Sequence, residues 1–423
     1  PVAGVSAINT ITFKGNMEIL TNGTTGSTNR HTLKLNGADY IIIDSLTIIN
    51  TGTTYASGVE VTNAADNNII SNCNIQVPQS TSGNFAGLTI SGTTPTSTGN
   101  TGSNNTISNN TISGGYYGVT AIGGGTTTKR LGNKFVNNRI IDFYYYGAYL
   151  YYQDQFKFDG NYISASSTAT ISSYAVRLYY VDAFTCNSNN IERFGAYGIY
   201  AYYANYQGTG SPTSRAQIAN NMIGGDVFGT GTNYGMYITT NARDLDIVHN
   251  SISNAGSTGN LRGIYILSGT GAVVKNNSIA DFTGTDYALY VSSTLYVTSV
   301  DYNNYYMPTS SNFIYIGGAY STTTYQGGGG YNVNSIDGDP GYNNNMSDLH
   351  TFSSQLNDKG DNTVGITTDI DGDARPLAPS TTVDIGADEF AVPTVDAGVL
   401  SVDSPAVPYC TLPSMSNIYV TFG

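Results

Sequence analysis

A three-residue pattern, Asn-x-Ile, returns through the middle of the chain at Asn110/Ile112, Asn138/Ile140, Asn161/Ile163, Asn189/Ile191, Asn221/Ile223, Asn250/Ile252 and Asn277/Ile279. A weaker copy stands at Asn303/Tyr305, and the successive asparagines lie 28, 23, 28, 32, 29, 27 and 26 residues apart. Leu46-Thr-Ile48 and Cys73-Asn-Ile75 suggest earlier copies. A second element precedes most of them: an aromatic, a small residue, an apolar residue, an outward residue and another apolar residue. It reads Tyr146-Gly-Ala-Tyr-Leu150, Tyr174-Ala-Val-Arg-Leu178, Tyr197-Gly-Ile-Tyr-Ala201, Tyr234-Gly-Met-Tyr-Ile238, Arg262-Gly-Ile-Tyr-Ile266 and Tyr287-Ala-Leu-Tyr-Val291. Alternation with period two specifies strands, not helices. Such a period accommodates three short strands with their turns, and a unit this small buries its apolar face only against identical neighbours. The chain therefore predicts an all-β solenoid.

Stacked coils place equivalent residues about 4.8 Å apart. Ile112, Ile140, Ile163, Ile191, Ile223, Ile252 and Ile279 then form an interior ladder. The asparagine at a fixed turn tolerates the left-handed conformation, and stacked amides hydrogen-bond along the column. This column is read as structural. Leucine-rich repeats and propellers are the rival repeat folds, and the chain has neither Leu-x-x-Leu-x-Leu nor any Trp.

Only 11% of the residues are charged against 39% hydrophobic, the reverse of a disordered chain. The net charge of −13 makes nucleic acid and anionic membrane surfaces poor partners. No segment is long and apolar enough to span a membrane. Cys73 and Cys186 sit in apolar strand patterns and read as buried thiols, while Cys410 is a candidate for pairing outside the chain. Beginning at Pro1 without Met, the chain reads as a processed or truncated portion of a longer exported protein.

From Ile8 to Tyr342 the repeats resemble the right-handed parallel β-helix family that includes pectate lyases and many surface proteins. Downstream, Ile336-Asp-Gly-Asp-Pro-Gly-Tyr342, Asp348-Leu-His350, Asp369-Ile-Asp-Gly-Asp-Ala-Arg-Pro376 and Val383-Asp-Ile-Gly-Ala-Asp-Glu-Phe390 resemble the closing segment of exported β-helix proteins of the Bacteroidota type. The usual small-residue stretch ending in Asp-Ala-Gly is here Ser353-Ser-Gln-Leu-Asn-Asp-Lys-Gly360. Val395–Val402 and Ile418–Phe422 resemble the opening strands of an immunoglobulin-like adhesion module, which implies display at the cell surface through type IX secretion. The expected organisation is a right-handed parallel β-helix over residues 1–350, a closing cap over 351–391, and a linker with the start of an immunoglobulin-like β-sandwich over 392–423. Val383–Phe390 is expected to cover the C-terminal end of the solenoid.

Candidate functional residues follow from the outward positions. Tyr149, Arg177, Tyr200, Tyr237, Tyr265, Tyr290 and Tyr315 form one outward column, and Tyr151, Tyr179 and Tyr202 a second. Sugar CH faces pack on aromatic rings and phenol hydroxyls bond to sugar hydroxyls, so the columns read as a glycan platform. The competing reading is a stabilising aromatic ladder. A polysaccharide lyase needs a base and a means of neutralising a carboxylate, and a hydrolase needs paired carboxylates. Lys157, Arg177 and Asp182 are the candidates for these roles, with Asp159, Asp244, Asp246 and His249 as further polar residues. His249 precedes the ladder asparagine and reads as a polar turn residue. The polygalacturonase motifs and a nucleophile elbow are both missing, and the chain has three histidines. Asp369, Asp371 and Asp373 alternate as in Ca2+ loops, but the EF-hand glycine and glutamate are not in place. The rival reading has these aspartates holding turns and pairing with Arg375. No cofactor is required on this reading, and Ca2+ is compatible with it. The expected function is adhesion or binding of an extended, neutral or weakly charged polysaccharide or cell-surface glycan. The alternatives are a polysaccharide lyase or glycoside hydrolase, and a stalk or filament subunit assembled with other chains.

Overall fold

The computed structural model describes residues 4–207, 214–255, 260–282, 287–309, 314–317, 320–322, 330–392, 399–404 and 419–422. Cys410 lies outside them. Two compact units divide the chain, Pro1–Phe390 and Ala391–Gly423. In the second, strands Val399–Ser404 and Tyr419–Phe422 pair antiparallel.

The first unit is built from three long parallel sheets. Among the described residues, one sheet of 11 strands runs from Ile11–Lys14 to Val297–Asp301. A second, also of 11 strands, runs from Ile19–Asn22 to Asn304–Tyr306. The third begins at His31–Asn36, reaches Ile314–Ile316 and ends on the antiparallel strand Tyr320–Thr322. Each coil gives one strand to each sheet, so the fold is the all-β solenoid that the repeat demands. The isoleucines stack as expected: Ile75, Ile112, Ile140, Ile163, Ile191, Ile223, Ile252, Ile279 and Tyr305 are successive register partners. All are buried in one continuous core. Cys73 and Cys186 are buried free thiols.

The asparagines stack too, but the left-handed conformation belongs to the residue before each of them. Asn109, Asn137, Gly160, Ser188, Asn220, His249, Asn276 and Tyr302 all have φ between 53° and 68°. The tight corner between first and second sheets needs that one reversed residue, which leaves the ladder asparagine extended and pointing inward. Its amide then serves the next coil. Asn161 Nδ2 donates to Asn189 Oδ1 at 3.1 Å, Asn189 Nδ2 to Asn221 Oδ1 at 2.9 Å, and Asn221 Nδ2 to Asn250 Oδ1 at 2.9 Å. Each Oδ1 also accepts from the preceding ladder backbone, as Asn189 Oδ1 does from Asn161 N at 2.9 Å. A shorter amide ladder, Asn68–Asn105–Asn133–Gln153, runs at another corner. The small residue of the aromatic-small-apolar element is also explained. A Cβ at Gly118 or Gly235 would stand 2.5 or 2.7 Å from the Cγ2 of Ile140 or Ile252, so at these two positions the isoleucine column leaves no room for a side chain.

The closing segment does not sit across the end of the solenoid. It lies along the flank of several coils. Asn220 Nδ2 donates to Thr368 O at 2.7 Å, Ala387 N to Ser251 Oγ at 3.0 Å, Gly386 N to Asn276 O at 2.8 Å, and Tyr342 Oη to Ser278 Oγ at 2.8 Å. Lys275 is paired with Asp361 at 2.7 Å. Met222, Ala280, Tyr342, Leu349 and Ala387 form a second, smaller apolar core beneath it. Residues 331–336 meet the last coil instead, where Asn303 N donates to Ser335 Oγ and Ile336 N to Asn303 O. The turn residues that the ladder exposes on these coils are polar and offer ready partners, which favours lateral docking over end capping.

Candidate functional site

The outward column of the third sheet has the register the sequence implies. Its members are Lys34, Glu60, Thr89, Thr120, Tyr149, Arg177, Tyr200, Tyr237, Tyr265, Tyr290 and Tyr315. The tyrosines stack on one another. Ring centroids are 5.2 Å apart for Tyr200–Tyr237, 5.2 Å for Tyr237–Tyr265, 4.7 Å for Tyr265–Tyr290 and 4.6 Å for Tyr290–Tyr315, with planes within 18°. Their faces are therefore covered by neighbours, and what points outward is a row of ring edges and hydroxyls. This departs from a platform of open faces. The coil spacing is close to ring-stacking distance, so identical rotamers on successive coils bring the rings face to face.

Tyr151 and Tyr179 stack at 4.4 Å, and Tyr202 meets Tyr179 edge-on. Two more columns were not singled out from the sequence. Tyr117, Tyr146, Tyr174, Tyr197 and Tyr234 stack with centroids 4.4–5.4 Å apart. Tyr180 stacks on Tyr203 at 4.3 Å and lies 5.5 Å from Tyr152. The signal was present: Tyr146, Tyr174, Tyr197 and Tyr234 are the leading aromatics of the repeated element. The inward glycine or alanine that follows each breaks the alternation and leaves the aromatic outside.

Arg177 interrupts the main column. Its guanidinium lies 5.0–5.7 Å from the ring centroids of Tyr146, Tyr149, Tyr174, Tyr179 and Tyr200. Nη1 donates to Tyr146 Oη at 3.0 Å, and the buried Nε has no hydrogen-bond partner. Among the described residues no carboxylate pairs with it. Burial pushes the phenol of Tyr146 well above its usual range and raises that of Tyr149, so they supply no counter-charge. Tyr237 is pushed up to about 12 by the same cause. The site is a half-buried cation in an aromatic box.

Asp182 ends the strand that carries Arg177, Tyr174–Asp182, and is the register partner of Asp154 on the previous coil. Its carboxylate is paired with Lys129, and burial raises it to about 6, helped by Asp154. Together with Thr126, Thr127, Leu131 and Gln207 these three line a 540 Å³ cleft at the sheet edge. Lys157 is not part of it. It stands on the first sheet, in register with Lys134 and Thr185, and lines a separate 410 Å³ cleft. The structure thus does not bring Lys157, Arg177 and Asp182 together. Asp159 is used internally, accepting from Thr185 Oγ1 at 2.7 Å and Asn187 N at 2.9 Å. Asp244 and Asp246 pair with Arg215 at 3.5 and 2.7 Å.

His249 is buried beneath the closing segment and held neutral, well below its usual range, by burial and the nearby Arg375. Its Nε2 meets Asn276 Nδ2 at 2.9 Å. Asp369, Asp371 and Asp373 do not converge either. Asp369 Oδ1 accepts from Asp371 N and Asp373 N, and its Oδ2 from Glu389 N at 3.0 Å. A carboxylate whose oxygens are spent on three backbone amides holds a turn. Asp373 is exposed. Arg375 pairs with Glu389 at 2.7 Å, not with an aspartate carboxylate, and donates to Gly386 O at 2.9 Å.

The model of the right-handed β-helix region family matches residues 98–279, the stretch in which the Asn and Ile columns run. The fold is a right-handed parallel β-helix. Solved structures similar to it include the Dettilon tailspike protein at 14% identity and TM-score 0.42, with 73% of this chain and 60% of that one covered. The complex of XylC with xylose is similar at 11% identity and TM-score 0.47, covering 84% and 65%, and pectate lyase Pel9A at 12% and 0.46, covering 90% and 83%. The β-helix chain thus spans less than two thirds of the first two. No curated protein matches it. None of the described helices is long and apolar enough to cross a membrane.

Proposed function

We propose that this β-helix binds an extended glycan along the third sheet, and that Arg177 receives a carboxylate of that glycan. The observation that carries the reading is the unpaired guanidinium among five tyrosines on a chain of net charge −13. A buried cation without a counter-ion is costly, and a ligand carboxylate offsets that cost with a bidentate pair. The hydroxyl rim of Tyr149, Tyr200, Tyr237, Tyr265 and Tyr290 supplies bonds to successive sugar hydroxyls, and Tyr151, Tyr179 and Tyr202 flank them. The ligand on this reading is an acidic polysaccharide with spaced carboxylates, rather than the neutral one expected from net charge alone. Export and display at the cell surface, by the type IX route, belong to the same reading. The test is a glycan array followed by titration calorimetry with wild type, Arg177→Met and a Tyr200→Phe/Tyr237→Phe double variant. Selective binding of uronate-containing glycans that Arg177→Met abolishes supports the proposal. Indifference to Arg177→Met, or no glycan bound, overturns it in favour of a face covered by another chain.

A second reading rests on the edge cleft. Asp182, raised to about 6, beside Asp154 and Lys129 is a carboxylate pair with one member disposed to carry a proton near neutral pH. Depolymerisation of the bound glycan that Asp182→Asn removes favours a glycoside-cleaving enzyme.

A further inference from the structure

The closing segment holds a cluster that neither the repeat nor the tyrosine face accounts for. His350 lies on the strand Asp348–Thr351, which pairs antiparallel with Tyr342–Asn344. Asp371 belongs to the turn that Asp369 organises, and Asp388 to the stretch before Phe390. One nitrogen of His350 and one oxygen from each of the two aspartates all lie within 4.8 Å of one another. We propose that His350, Asp371 and Asp388 bind one divalent transition-metal ion of the zinc type.

Three features of the geometry support this. Asp348 engages the Nδ1 side of the His350 ring, fixing its orientation from behind, and the Nε2 side faces Asp371 Oδ2 at 2.8 Å. A carboxylate behind one nitrogen, with the other nitrogen turned towards further ligand atoms, is how proteins orient a metal-binding imidazole. Asp388 is only 8% exposed; its Oδ2 accepts from Thr351 N at 3.0 Å, and among the described residues no hydrogen bond reaches its other oxygen. That leaves one carboxylate oxygen of Asp388 able to bind a cation beside His350. Finally, one imidazole is surrounded by Asp348, Asp371 and Asp388, so even a protonated ring leaves the cluster negative.

The donor set selects the ion. One nitrogen and two carboxylate oxygens suit Zn2+, which binds such groups at about 2.0–2.2 Å, with solvent completing the fourth position on the exposed Asp371 side. Ca2+ takes six to eight oxygens, and the described cluster supplies too few. In the hydrogen-bonded arrangement Nε2 carries a proton towards Asp371. Metal binding replaces that proton, which leaves to solvent, while the Nε2 lone pair forms the metal bond. The three ligands come from three separate stretches of the closing segment, so the ion would tie them together. This inference does not depend on the glycan reading.

The experiment uses the full chain, stripped with chelator, and titrates Zn2+ alone by calorimetry, with Co2+ absorption as a spectroscopic check. The expected result is one ion per chain, a rise in Tm with Zn2+, and no comparable response to Ca2+. Asp371→Asn, at an exposed position, should fold and lose most of the Zn2+ affinity; His350→Ala should lose it entirely. Asp348→Asn should weaken binding by about 10–100-fold through ring orientation. No stoichiometric Zn2+ uptake by wild type overturns the proposal. So does uptake that Asp371→Asn and His350→Ala leave unchanged, or a Co2+ spectrum that the histidine substitution does not alter.

Discussion

Glu60 and Arg177 belong to the same outward column, and the protein treats them in opposite ways. Glu60, near the N-terminal end, is buried and matched. Arg30 engages it directly, and Lys34, its register neighbour, stands 3.3 Å away. Arg177, four positions further along the column, sits among rings with no acid near it. The flanking rows offer no acid either: Tyr146, Tyr174 and Tyr197 run on one side, Tyr151, Tyr179 and Tyr202 on the other. A fold that neutralises one buried charge with two cations could have neutralised the other. The difference separates a charge that serves the coil from one left available to a ligand.

The largest effect should come from breaking the matched end. Glu60→Gln strands a buried Arg30 and should lower unfolding free energy by about 3–5 kcal/mol, read from denaturant melts. A loss below about 1 kcal/mol would mean that the pair is not the stabilising partner of Arg30. Arg177→Met should leave stability within about 1 kcal/mol of wild type, because no charge is orphaned and the one hydrogen bond lost is that to the Tyr146 hydroxyl, while glycan affinity falls by about 2–5 kcal/mol. Equal losses of stability at both sites would erase the contrast. Tyr237→Ala removes one ring from a continuous stack and should cost about 1–2 kcal/mol. A loss as large as that of Glu60→Gln would make the ladder the principal support of this sheet.

A pH dependence is expected at His249. Its folded-state value lies well below that of the unfolded chain, so the unfolded state gains the proton first and stability falls as pH drops below about 6.5. The contribution is at most about 1.4 kcal/mol per pH unit. His249→Asn, which restores the residue found at Asn109, Asn137, Asn220 and Asn276, should flatten that part of the Tm-against-pH curve. An unchanged difference between pH 7 and pH 5 would show that His249 does not resist protonation.

The solenoid was legible because its information is periodic. Each Asn-x-Ile copy reports the same corner, and the register of Ile112 through Ile279 follows from counting. Period also identified Arg177 as the exception among tyrosines. What was not legible involves contacts between the repeat and non-repeating chain. The burial of His249 depends on Asp384 to Gly386 lying over it, and nothing in the local spacing signals that approach. The same holds for His350, Asp371 and Asp388, which are adjacent only because three turns of the closing segment converge. The mutual covering of tyrosine faces is an intermediate case. The coil spacing implies it, but the outward position of each ring taken singly does not.

The lateral course of the closing segment also changes how the molecule should come apart. A plain stack of coils couples only nearest neighbours, so opening can begin at any coil and spread as a one-dimensional front. A segment anchored at Asn220, Ser251, Asn276 and Ser278 spans three successive coils and adds a link between the first and the third, which do not pair directly. Opening any one of these coils must then strip contacts from the others, which turns a zipper into a cooperative block. The C-terminal part of the solenoid should therefore yield in one step under load, while the coils before Asn220 are free to peel one at a time.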